Sequence, residues 1–127
     1  MPYNFSHAHN VLNVLRGVNL NGIPSVYVML FTVMPPARDQ AGTELSVSGY
    51  TRQLVAFNAP SAGLMASSAK VTMSASTPVA WNDIVGFGLI TTATGGSLLG
   101  YEAFPSIRSF PAGTEVSFAA GAIQVEN

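Results

Sequence analysis

The sequence predicts a mainly β protein: an antiparallel sandwich or barrel of about seven short strands with one N-terminal α-helix. Three observations point there. Ser25–Thr32 (SVYVMLFT) is a run of branched and aromatic residues with a proline close on either side. Two apolar runs, IVGFGLIT and LLGYEAF, flank Gly95-Gly96, a dipeptide suited to the positive φ of a tight hairpin turn. About seven short β-like runs are separated along the chain by turn signals such as NAPSAG, TATGGS and FPAGT.

Each element follows from its residues. Ser6 can cap a helix whose apolar face is Ala8, Val11, Leu12 and Leu15, spaced i, i+3, i+4 and i+7. Arg16 falls in its last turn and Gly17 supplies the left-handed cap. The helix is expected over 6–16, preceded by an arm, 1–5, that carries Tyr3 and Phe5. Ser25–Thr32 is apolar on both faces and should be a central strand. Met34–Gly49, with Pro35, Pro36, Gly42 and Gly49, reads as a long exposed loop.

Tyr50–Phe57 (YTRQLVAF) is a second strand and Lys70–Ser74 a third, which Pro78–Trp81 extends or pairs. Ile84–Phe104 is a hairpin; with Gly95-Gly96 as its loop, Phe87 lies opposite Phe104 and Ile90 opposite Tyr101. Both faces are apolar and Glu102 is the sole charge, so the hairpin should be buried on both sides. Gly86, Gly88 and Gly100 inside it mark a bulge or a close backbone approach. Glu115–Ala119 and Ala122–Val125 close the chain. The whole, 1–127, forms a single β-rich domain, with the β region at 25–127.

Charge sets the functional frame. Charged residues are 9% of the chain, against roughly 25% in an ordinary soluble domain. A monomer of this mass exposes on the order of 6,400 Å², or roughly one charge per 580 Å². Interface cores are poor in Lys, Glu and Asp, so partners are expected to cover much of the exterior. The net charge of −1, with Arg16, Arg38, Arg52, Lys70 and Arg108 scattered singly, argues against nucleic acid. Exposed strand edges with few lysines lack the usual protection against pairing. Either the sheet closes or a partner covers the edge.

Catalytic and metal chemistry find no pattern. The two histidines, His7 and His9, point about 200° apart on a helix and cannot share a metal. Without cysteine there is neither disulfide nor thiolate site. No serine stands in a G-x-S-x-G elbow, and no two acids are paired by spacing. TATGGS lies between strands, so a phosphate loop is excluded. No enzyme activity, no cofactor and no small-molecule ligand are expected. No apolar run approaches the roughly 20 residues that span a bilayer, so no membrane role is expected. MPYNFSHAHN lacks the basic-then-apolar pattern of a signal peptide, and synthesis in a cytoplasm is expected. Trp81 and Tyr101 are a possible stacking platform for a sugar; the competing reading places both in the core or at a subunit contact, the indole N–H on a backbone partner.

The order of segments resembles a family of small tailed-bacteriophage virion proteins, tail-fibre-like or head decoration (cement) proteins. The resemblance rests on NVLNVLRG, VYVMLFT, GTELSVSGYTRQLVAF, WNDIVGFGLITTATGGSLLGYEAF and PAGTEVSFAAGAIQVEN, in that order. It implies a structural protein of the virion with no catalytic residues. The leading expectation is a capsid cement protein on the head surface, binding the major capsid protein and other copies of itself as a homo-oligomer. The alternative is a tail-fibre or tail accessory protein, with host-glycan binding as one form of it. The expected partner contacts are Tyr3, Phe5, Trp81 and Tyr101.

Overall fold

The computed structural model describes residues 25–37, 40–59 and 64–126. The expected helix over 6–16 and the 1–5 arm lie outside the described residues. Within them the chain is mainly β, with strands β1 (Val26–Val33), β2 (Thr43–Glu44), β3 (Gln53–Val55), β4 (Leu64–Ala66), β5 (Val71–Ser74), β6 (Trp81–Ile90), β7 (Leu98–Phe110), β8 (Val116–Phe118) and β9 (Gln124–Glu126). Every pairing among them is antiparallel.

β1 is central, as its two apolar faces require. It pairs β6 along one edge, and β2 and β3 along the other, in a sheet ordered β2-β1-β6-β7. Side chains alternate across a strand, so Val28 and Leu30 enter one cluster while Met29 and Phe31 enter a second. The larger cluster joins Val28, Leu30, Phe87 and Leu89 of the sheet to Val71 and Met73 of β5 and to Val116 of β8. Ile123, just before β9, and Trp81 are wholly buried in it. The two-stranded ribbons β5-β8 and β4-β9 thus share a core with one face of the sheet. No described pairing closes the strands into a barrel.

Several expectations are corrected. The strands are not uniformly short: β6 has 10 residues and β7 has 13. Within Met34–Gly49, β2 pairs the end of β1, and Leu45 is 4% exposed, its N–H donating to the Leu30 carbonyl at 2.9 Å. A two-residue strand is too short to show a period, and Leu45 gains its burial from β1. β4 follows the turn signal NAPSAG and is made a strand by β9, far away in sequence. The second strand shrinks to β3, with Phe57 making an isolated bridge to Ser67.

The hairpin exists with a different register. Phe87 faces Glu102, Gly88 faces Tyr101, and Ile90 faces Leu98. The connection spans 91–97 because Thr91 and Ser97 close it: Thr91 N–H donates to the Ser97 carbonyl at 3.2 Å and Ser97 N–H to Thr91 Oγ1 at 3.0 Å. Gly95 and Gly96 do take positive φ (64° and 78°), but at one side of this loop rather than as its two-residue centre. The close approach expected at the strand glycines is present. A Cβ on Gly86 would stand 2.5 Å from the Glu102 carbonyl oxygen, and one on Gly88 would stand 2.8 Å from the Phe31 ring.

Burial on both sides holds for most of β6 and fails for β7. β7 ends the sheet, and from Pro105 to Ser109 it is exposed. Two irregularities bend the ribbon there. Asp83 adopts a left-handed φ of 58°, with its N–H donated to Ser109 Oγ at 3.1 Å. The pairs Gly86↔Ala103 and Ile84↔Arg108 leave Val85 opposite the whole of Phe104–Ile107, a bulge of the kind that terminates or re-aims an edge.

Candidate interaction surface

The bend at β7 opens a groove of about 340 Å³ between β7 and β8. Its floor is core: Leu30, Ile84 and Phe87 are 1%, 0% and 6% exposed. Four phenylalanines line it: Phe87, Phe104, Phe110 and Phe118. Phe87 stands edge-on to Phe118 at 5.3 Å between centroids and lies 5.9 Å from Phe104. Arg108 places its guanidinium 5.1 Å from the Phe104 centroid, a cation–π contact at the rim. Glu102 stands on the same rim. Ile107, next to Arg108 in the chain, is 65% exposed, the most exposed of the large apolar side chains among the described residues.

A polar network holds the other end of the hairpin. Arg52 binds Glu44 through both arms of its guanidinium and spends Nη1 on the carbonyls of Thr92 and Gly95, at 3.1 and 2.8 Å. Tyr50 donates its hydroxyl to Glu44 Oε2 at 2.5 Å and accepts the Leu30 N–H at 3.1 Å. Partial burial alone would raise the Glu44 pKa; the bonds from Arg52 and Tyr50 outweigh it, and the carboxyl is held below its ordinary value. Burial and the Glu44 carboxylate both push the Tyr50 hydroxyl far above its usual range, so it remains a donor. Through the Arg52 bonds to the Thr92 and Gly95 carbonyls, the network clamps the 91–97 loop.

The residues singled out in the sequence fall in different places. Tyr3 and Phe5 lie outside the described residues, as do His7 and His9. Trp81 is 0% exposed, packed edge-on to Tyr50 at 5.8 Å, and its indole N–H donates to the Ser48 carbonyl at 3.4 Å. It therefore offers no exposed face on which a sugar could stack. Tyr101 is half-buried in the second cluster, on the opposite face of the sheet from Trp81, so the two rings form no common platform. Sequence reasoning passed over Ile107, Arg108 and the Phe104–Phe118 pair. The available signal was Pro105 inside a run of strand formers, which marks an edge or a bulge.

Fold and surface together define a mainly antiparallel β protein whose most distinctive exterior feature is an open, aromatic-lined seam at a sheet edge. The chain belongs to the family of the podophage GP4 fiber I protein gp80, whose family model matches residues 4–126, and so to a family of tailed-phage virion structural proteins. The match carries a fibre name and lends no support to the head-decoration branch of the resemblance. A search of curated proteins gave no match.

Proposed function

We propose that this chain is a structural subunit of the fibre apparatus of a tailed-phage particle, acting through non-covalent contacts and catalysing no reaction. The observation that carries this reading is the fibre family's match over residues 4–126, which takes in every described residue. The chemistry agrees with it. Charged residues are 9% of the chain, and an aromatic groove with an exposed isoleucine lies at a sheet edge. Such a surface gains stability by burying apolar area against neighbours, at roughly 25 cal/mol per Å² before ordering costs. The partners in this reading are other fibre or tail subunits and further copies of the chain; the virion is its location.

The test is position on the particle. Gold-labelled antibody against the chain, with copy number from quantitative mass spectrometry, should mark the tail region at low copy number. Label spread over the head with copies in the hundreds would replace this reading with capsid decoration.

A further inference from the structure

We infer that the β7 bulge and the groove beside it form a self-complementary docking patch for a second copy of this chain, related by a two-fold axis near Pro105. The patch, which rests on the fibre reading, is the surface through which copies of the chain meet, and three observations favour a second copy as its partner.

The first is charge. Among the described side chains, Glu44 is paired with Arg52 and Lys70 with Glu115. Glu102 and Arg108, like Asp83, are exposed and stand outside both pairs, and of these three only Glu102 and Arg108 line the groove. In sequence they flank Pro105 symmetrically. Two antiparallel β7 segments crossing there would bring Glu102 of each copy toward Arg108 of the other, twice. An isologous contact requires this reciprocity.

The second ground is shape. A two-fold contact needs a projection and its recess side by side on one surface. Phe104–Ile107 bulges from the ladder with Ile107 65% exposed at its end, and Phe104 and Pro105 of the bulge, with the neighbouring Arg108, line the aromatic groove. The same crossing sets Ile107 of one copy beside Ala103 of the other, on the groove's lip.

The third is the edge itself. β7 has β6 on one side and no other partner among the described residues. Pro105 and the bulge deny it a regular ladder, so open-ended strand addition is blocked and a closed side-chain contact remains.

Charge reversal in the full chain tests the inference, read by sedimentation equilibrium. The native chain should be a dimer at micromolar concentration. Glu102→Arg and Arg108→Glu should each weaken the dimer by about tenfold or more, because like charges then face each other. The double variant Glu102→Arg/Arg108→Glu should restore it. Ile107→Asp, at an exposed position that leaves folding intact by circular dichroism, should also give monomer. A native chain that is monomeric or trimeric, single reversals without effect, or a double variant no better than the singles would each overturn the inference. These outcomes are independent of where antibody labels the particle, so the docking patch can fail while the fibre assignment stands, and the reverse.

Discussion

Arg52 meets Glu44 in a fork, with Nε 2.9 Å from Oε2 and Nη2 2.9 Å from Oε1, and its remaining nitrogen holds two loop carbonyls 40 and 43 residues further along the chain. The contact ties three segments together: β2, the approach to β3, and the 91–97 loop. A lysine cannot copy it, because one ammonium cannot present two parallel N–H bonds and a third in the same plane.

Arg52→Lys should therefore destabilise the fold by about 1–3 kcal/mol, the range for hydrogen bonds to charged groups. Urea unfolding gives the magnitude. Hydrogen exchange should quicken across residues 91–97 ahead of the core strands, as expected when a local tie is cut. Unchanged exchange in that loop would show that Thr91 and Ser97 close it unaided.

The same pair makes stability depend on pH. The Glu44 carboxyl is held below its ordinary value of 4.5 in the folded chain. A lowered folded pKa means that the unfolded state takes up a proton first. The contribution is therefore complete above pH 4.5 and fades as the pH falls through the folded value. Urea midpoints of the native chain and of Glu44→Gln should differ at neutral pH and converge in acid. A gap that stays constant to low pH would contradict the ion pair.

Phe87 sits at the centre of the ring cluster at 6% exposure. Phe87→Ala should cost about 3–5 kcal/mol, the usual loss for a buried aromatic. Chemical denaturation checks it, and a loss well below 1 kcal/mol would mean that the groove floor collapses to fill the space.

Two glycines separate steric from conformational cost. Gly86 is pressed against the Glu102 carbonyl oxygen and Met34 Sδ, each 2.5 Å from where a Cβ would sit. Gly113 has open space around it but a φ of +83°. Gly113→Ala should cost about 1–2 kcal/mol, the penalty for a left-handed side chain. Gly86→Ala should cost more, because backbone must shift and the β6–β7 ladder with it. Comparable midpoints for the two variants would mean that the ladder yields easily at Gly86.

What could be read from the residues was whatever a short window contains. SVYVMLFT announces a strand buried on both faces because both parities are apolar, and β1 is the centre of the sheet. The scarcity of charge pointed to a surface covered by partners, and the order of segments resembled a virion structural protein, with which the family match agrees. The choice of head over tail was not legible, since low charge serves either position equally.

The rest needed partners distant in sequence. β2 and β4 are strands because β1 and β9 lend them hydrogen bonds, which no local pattern records. The hairpin register was decided by the Thr91–Ser97 closure, which outweighs the glycine pair's preference for a tighter turn. Trp81 could have been surface or core by composition; Tyr50 and the Ser48 carbonyl made it core. The groove exists because β7 bends away from β6 at a bulge and β8 lies across the gap. Local sequence fixes which side chains alternate and where the backbone can turn. Which of those side chains end in water depends on which strand arrives beside them, and that is settled only when the whole chain packs.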